Sequence, residues 1–210
     1  MHRTSASYKI HGEDIQFLTV ALSATQNLFA EQSSVVFMST SVQWAPYVPR
    51  LATGADPFLT GWFFGDPERQ KNGLLRFTGT DTSQGMLSLS SGKPGRIFVL
   101  DLESGKTPII CRSGALLAIS GDMRVRADKT TEKTSANPIW LQKINGAGLC
   151  FLRARGRMMR IPVNNQTIRI NPNALVAYES TLNMEFIEVS GQDDFLSFSG
   201  EGKLWLQSSW

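Results

Sequence analysis

A two-part strand pattern that occurs three times constrains this 210-residue chain more than any other feature of its sequence. The first part is a turn followed by an apolar strand of small residues. Its copies lie at 28–38, 109–118 and 170–178. The second part always follows the first, and such an ordered internal repeat indicates one supersecondary unit that is used three times.

The second part is a glycine turn that leads into another alternating strand. Its copies lie at 77–89, 144–152 and 198–206. Glycine pairs such as Gly146 with Gly148, and Gly200 with Gly202, suit a backbone with positive φ. Because the flanking residues alternate with a period of two, we expect tight hairpins at these glycines.

The pattern predicts an all-β fold: repeated antiparallel β-units that form packed jelly-roll-like sheets of the β-sandwich or double-stranded β-helix type, with few or no helices. We expect one domain over 1–210 with repeats at about 8–105, 106–160 and 161–210. A proline- and aromatic-rich excursion at 45–73 and a polar loop at 127–137 interrupt it. Equivalent repeat positions should be buried, namely Cys111, Leu116, Cys150, Leu152, Leu175, Ala177, Leu204 and Leu206.

The sequence holds few groups that catalyse reactions. The imidazoles are His2 and His11, both near the N-terminus, and no metalloprotease, serine-hydrolase, P-loop or paired-cysteine zinc motif occurs. The Asp193-Asp194 pair is interpreted as a solvated turn. We therefore expect a non-enzymatic protein with no catalytic residue, cofactor or metal.

Two further features bear on the compartment. Cys111 and Cys150 lie in apolar strand-like runs, which favours buried, unpaired thiols and a reducing environment. No run approaches the roughly 20 apolar residues that a membrane-spanning helix needs.

Positive charge is concentrated in one stretch. No Asp or Glu occurs between Lys133 and Tyr178, whereas acids dominate from Glu179 onward. Strand alternation would place Phe151, Arg153, Arg155 and Arg157 on one face. The candidate residues for binding a partner or a polyanion are Arg124, Arg126, Lys143, Phe151, Arg153, Arg155, Arg157, Arg160 and Arg169. Such a surface suits an acidic protein, or phosphates of nucleic acid or anionic lipid, or plain solvent.

Several stretches resemble a known family. They are Tyr-x-Ile-x-Gly-x-Asp-x-Gln at 8–16, Phe-Ala-Glu at 29–31, Gly-Lys-Pro-Gly-Arg-Ile at 92–97, Leu-Asp-Leu at 100–102, Asn-Pro at 171–172, Leu-Val-Ala-Tyr-Glu at 175–179, and Gly-x-Gly-x-Leu-Trp-Leu-Gln-Ser at 200–208. In this order they resemble the altered-inheritance-of-mitochondria protein 24 family. The resemblance implies a β fold of the tryptophan RNA-binding attenuation protein type, with no defined catalytic residue.

The resemblance also implies a location, and the residues favour a role. It implies a mitochondrial protein, in the matrix or at the inner membrane. The few catalytic groups, the low share of charged residues (19 %) and the separation of basic from acidic stretches then favour a structural or assembly subunit that acts through protein contacts. The partner would be a larger complex, a second copy or a paralogue. An RNA-binding module that uses the basic stretch at 143–169 is the alternative, and an inner-membrane surface is a further candidate partner. A small-molecule enzyme ranks third.

Overall fold

The computed structural model describes residues 7–47, 74–80, 84–90, 92–127, 139–188 and 195–210. The predictions on His2, on Asp193 and Asp194, on 48–73 and on 128–137 lie outside the described residues. The strands are β1 (Ser7–His11), β2 (Phe17–Leu22), β3 (Asn27–Glu31), β4 (Val35–Met38), β5 (Val42–Pro46), β6 (Leu74–Gly79), β7 (Gly85–Ser90), β8 (Arg96–Leu102), β9 (Ile109–Arg112), β10 (Leu116–Ser120), β11 (Asp122–Ala127), β12 (Leu141–Ala154), β13 (Met158–Asn164), β14 (Ile168–Ile170), β15 (Leu175–Glu179), β16 (Asn183–Ile187), β17 (Phe195–Ser199) and β18 (Glu201–Gln207).

The strands form four layers. Outer sheet 1 has the order β1-β2-β7-β4, and outer sheet 2 has the order β14-β17-β16. Between them, the long strand β12 belongs to two inner sheets. Its C-terminal half pairs with β8 and β10 in inner sheet 1, which continues through β3 and β6 to β5. Its N-terminal half pairs with β11 and β9 in inner sheet 2, which continues through β15 and β18 to β13. The predicted all-β class is confirmed.

Three apolar cores separate the layers. The first core joins outer sheet 1 to inner sheet 1 and includes Leu18, Leu28, Phe77, Leu89 and Phe151. The second lies between the inner sheets and includes Cys111, Leu116, Cys150, Leu152 and Trp205. The third joins inner sheet 2 to outer sheet 2 and includes Leu175, Tyr178, Phe198, Leu204 and Leu206. All eight residues that the repeat pattern predicted to be buried are at most 8 % exposed, so that prediction is confirmed.

One local unit recurs in three places. A strand runs into a 3-10 turn and then into a second strand, with the turns at Gln32–Ser34, Ser113–Ala115 and Pro172–Ala174. The third turn shows the local cause, because the side chain of Asn171 accepts a hydrogen bond from the Asn173 amide and Pro172 follows it. The repeat boundaries near 105 and 160 stay a prediction.

The second strand of each unit carries the same register shift against its partner. In each case an extra residue bulges out and the pairing moves by one place. The paired residues on either side of the shift are Val35 with Leu89 and Phe37 with Ser88, then Leu116 with Leu152 and Ala118 with Phe151, then Leu175 with Leu206 and Ala177 with Trp205.

The predicted hairpins at the glycine pairs are wrong. Gly146 and Gly148 lie inside β12, where the strand passes from one inner sheet to the other. Gly146 has a φ of 119°, and a Cβ there would collide with the carbonyl oxygen of Asp122. Gly200 likewise joins β17 to β18, which lie in different sheets. Glycine in a strand also marks bends and close backbone approaches, and that meaning applies here.

Candidate functional site

The predicted arginine face does not continue along one strand. β12 ends at Ala154, and the chain turns at Gly156, whose φ is 64°. Arg157 therefore lies beyond the turn, where its amide donates to the Ser208 hydroxyl at 2.9 Å. The expectation that Arg153, Arg155 and Arg157 alternate on a single strand is wrong.

Phe151 is not available to a partner. Its side chain is 0 % exposed and packs in the first core, where the Tyr8 ring meets it edge-on with centroids 5.2 Å apart. It does point away from Cys150, as alternation requires, but a second layer covers that side too. The prediction that Phe151 binds a partner is therefore wrong, because another layer of the protein covers its side chain.

The other candidate residues are spread over separate surfaces. Arg124 is exposed on β11 opposite Asn145, and half-buried Lys143 lies opposite Arg126, whose side chain is outside the description. Arg160 is exposed on β13, while Arg169 is exposed on β14 in outer sheet 2. These five residues do not share one continuous face with Arg153 and Arg155.

Arg153 has a structural environment. Its Nε donates to the Gly114 carbonyl at 2.7 Å, and its Nη2 lies 3.8 Å from a carboxylate oxygen of Glu31. Both side chains are only 15 % exposed. Gln207 makes the matching contact one unit later, because its Nε2 donates to the Asn173 carbonyl at 2.8 Å. Both side chains thus clamp the middle residue of a 3-10 turn.

A cleft of about 510 Å³ opens beside these clamps. Segments that are distant in sequence meet around it. Its lining consists of Lys93, Pro94, Arg112, Ser113, Gly114, Ala115, Trp140, Arg153, Ala154, Arg155, Asn173, Leu175, Gln207 and Trp210. Four of these residues have cationic side chains and none has an acidic side chain, so the cleft lining is electropositive.

Arg112 is a partly buried cation of this cleft. Its Nη1 donates to the carbonyls of Pro172 and Asn173, each at 3.4 Å. Burial, and secondly the positive charge of Arg155, lower the pKa of Arg112. Arg155 is exposed, and its amide donates to Gln207 Oε1 at 3.0 Å. Like charges thus converge where a negative charge would be stabilised.

The sequence patterns identified Arg153 and Arg155, which line the cleft, but missed its other cationic, aromatic and amide side chains. These are Lys93, Arg112, Trp140, Asn173, Gln207 and Trp210. Lys93 and Gln207 lie within stretches that carry the family resemblance, and Asn173 lies between two of them. Those stretches were the available signal.

A second feature is the outward side of outer sheet 1, which we call the open face. Residues that alternate with the core leucines of β2 and β7 point to this side. They are Ser7, Lys9, His11, Phe17, Thr19, Ala21, Phe37, Met86, Ser88 and Ser90. Within this set Lys9 carries the one formal charge, and Ser88 is buried.

Large apolar side chains stand out from the open face. Phe17 is 37 % exposed, Phe37 46 % and Met86 47 %. Among the described strands β4 is an edge of its sheet, and it exposes Val36 and Met38 as well. An apolar edge with few charges is typical of a surface that pairs with another chain.

Two absences hold for the part of the chain that the structure describes. No group of three or more His, Cys, Asp or Glu side chains is placed to hold a metal. No helix there has the length and apolar character that crossing a membrane requires. Cys111 and Cys150 are buried, unpaired thiols, as predicted.

Fold and surfaces together define an all-β protein of stacked sheets with an electropositive cleft and an apolar face. The sequence model of the family described as Mitochondrial biogenesis AIM24 matches residues 8–209, so the chain belongs to that family and is associated with mitochondrial biogenesis. The predicted family is confirmed.

Solved structures include a similar fold. The crystal structure of a Streptococcus pyogenes protein superposes with a TM-score of 0.76 at 18 % identity, over 97 % of this chain and 94 % of that chain. No curated protein matches the sequence.

Proposed function

We propose that the chain is a non-catalytic assembly or scaffold subunit of a mitochondrial multiprotein complex, in the matrix or at the inner membrane. It binds its partner protein through the open face. The observation that carries this proposal is the exposure of Phe17, Phe37 and Met86 on a sheet side with one formal charge.

The counterparts of the open face within the chain support this role. In the second unit the matching side of β12 presents Phe151, and in the third unit the matching side of β18 presents Trp205. Both aromatic side chains are buried in a core against another layer. A sheet face from a partner protein would cover the open face in the same way.

The RNA-binding alternative has weaker support. Nucleic-acid surfaces need a continuous track of cations along the phosphate backbone. Here Arg124, Arg160 and Arg169 lie on different sheets or edges, and Arg153 is engaged by Glu31. RNA binding is therefore an outcome that the tests below can reveal.

The test is a native pull-down with tagged full-length protein and two matched variants, with light scattering after size-exclusion chromatography. Phe37→Glu places a charge on the open face and should abolish co-purification of a defined partner, or dissociate an oligomer. Phe195→Glu is the control, because Phe195 is 40 % exposed on outer sheet 2. It should leave the complex intact.

Two results would contradict the proposal. One is a protein that is a monodisperse monomer and captures no partner that Phe37→Glu would release. The other is equal loss in both variants, which would indicate nonspecific adhesion of exposed aromatic side chains. A self-association that Phe37→Glu alone disrupts would identify the partner as a second copy.

A further inference from the structure

In the electropositive cleft, two guanidinium groups have no acidic side chain of a described residue beside them. Neither Arg112 nor Arg155 takes part in an ion pair with any described residue, whereas Arg153 is paired with Glu31. The cleft lining adds Lys93 but no acid. Two cationic side chains thus line the same cleft, and no acidic side chain among the described residues compensates their charge.

Arg112 is positioned and yet has binding capacity left. Its Nη1 donates long hydrogen bonds of 3.4 Å to the carbonyls of Pro172 and Asn173, which keep the guanidinium at the cleft. Its Nε and Nη2 have no hydrogen-bond partner among the described residues. A guanidinium has five N–H donors, and a free edge of it matches two oxygens of a phosphate or carboxylate.

The surroundings favour an anion over other occupants. Burial and the neighbouring charge of Arg155 already lower the pKa of Arg112, so the charged form is held at a cost. An anion between the two arginines would remove that cost. A carboxylate side chain on the protein would have done the same, and the cleft lining has none.

The size and the aromatic lining indicate what the anion is attached to. About 510 Å³ is within the range of pockets for small molecules, and is small for an extended polymer. Trp140 and Trp210 line the cleft, and Trp210 is 57 % exposed. Indole rings offer a flat apolar surface to a ring or an acyl chain next to the charged group.

We propose that this cleft binds a phosphate monoester, with Arg112 and Arg155 on the phosphate and the two tryptophans against the attached group. A soluble nucleotide-like metabolite and the headgroup of phosphatidic acid share this chemistry. This binding site is separate from the open face and does not depend on the assembly role.

The experiment uses the full chain and two kinds of probe. Calorimetric titration with AMP, adenosine and inorganic phosphate tests the soluble source, and cosedimentation with vesicles of phosphatidic acid or of phosphatidylcholine tests the lipid source. We expect AMP to bind about tenfold or more tightly than adenosine, or phosphatidic acid to be selected over phosphatidylcholine, because the phosphate supplies charge-assisted hydrogen bonds.

Variants locate the site. Arg155→Gln should weaken binding of the selected probe about tenfold. The guanidinium of Arg155 has no hydrogen-bond or ion-pair partner among the residues that the structure describes, so this variant should keep its melting temperature. Arg112→Gln should weaken binding similarly, although loss of its carbonyl contacts can also lower stability. The control is Arg160→Gln with Arg169→Gln, which removes two exposed charges outside the cleft and should change affinity by less than about twofold.

The inference would be overturned if no phosphate probe binds, if Arg155→Gln binds like the parent protein, or if the control variant loses as much affinity as Arg155→Gln. Tight binding of single-stranded RNA that depends equally on the control arginines would also overturn it, because that result describes a dispersed polyanion surface.

Discussion

The same backbone unit occurs in two environments in this molecule, which differ in whether another sheet covers its outward side. Where β10 pairs with β12 and where β15 pairs with β18, the outward side is covered by another layer. Where β4 pairs with β7, no sheet of the described residues covers that side, and Phe37 and Met86 are exposed on it, although the smaller Ser88 is buried. The register shift is the same in all three places, so the backbone does not decide whether a layer is added.

The side chains at the shift differ in a consistent way. The covered faces carry an aromatic residue on the longer strand and alanine beside it, as Phe151 with Ala118 and Trp205 with Ala177. The open face reverses the sizes, with Ser88 and Phe37. Alanine leaves room for the next sheet and the aromatic ring fills it. Phe37 instead projects from an edge strand, where another chain can reach it.

Thiol labelling should give the largest contrast between covered and open faces. Cys111 and Cys150 lie between the inner sheets and are 0 % exposed, so they should react on the order of a thousandfold more slowly in the native protein than in the unfolded chain. In a Phe37→Cys variant the new thiol should react at once. Rapid labelling of Cys150 in the native parent protein would show that the layer does not cover it.

The same thiols predict a pH dependence of stability. Burial raises the pKa of Cys111 from 9.0 to about 12, and burial followed by the charge of Cys111 raises the pKa of Cys150. The unfolded thiols ionise at lower pH, so this contribution is complete below pH 9 and is lost as the pH rises towards 12. Urea unfolding at pH 8 and at about pH 10.5 should show a lower midpoint at the higher pH, and a Cys111→Ala, Cys150→Ala variant should show less of this change.

Removal of a covered aromatic ring should cost much of the stability. Trp205 is 4 % exposed in the second core, and Trp205→Ala should lower the free energy of unfolding by about 3–5 kcal/mol. Phe151→Ala in the first core should fall in the same range. Urea titration with an unchanged m-value measures this. A cost below about 1 kcal/mol would mean that the ring is not packed between layers.

The matched change on the open face should have the smallest effect. Phe37 is 46 % exposed, and Phe37→Ala should change the free energy of unfolding by less than about 0.5 kcal/mol in the isolated chain. A loss near that of Trp205→Ala would show that Phe37 is covered in the chain itself, and that the two kinds of face do not differ.

Strand periodicity was sufficient to predict the inward residues but not the stacking. Alternation with a period of two assigned Cys150, Leu152, Leu204 and Leu206 to a core correctly. It states only that Phe151 faces the other way. Whether that other side meets solvent or another sheet depends on contacts between units, which the local pattern does not contain.

The cleft could not be predicted from the spacing of residues in the sequence for a similar reason. Arg153 and Arg155 stood out because they are close together in an acid-free stretch, but the position of Arg112 beside them comes from the packing of one unit on the next. The glycine pairs were misassigned because hairpins and strand bends both require glycine. The pairing partners of Gly146, rather than its neighbours in sequence, distinguish the two.

The long strand β12 affects how the molecule unfolds. Arrays of repeats whose units touch only at an interface can unravel from an end, one unit at a time. Here one continuous strand of 14 residues contributes its N-terminal half to one inner sheet and its C-terminal half to the other, so melting one inner sheet frees one end of a central strand of the other. The layers are therefore thermodynamically linked, and unfolding should be a single cooperative transition in spite of the repetitive architecture.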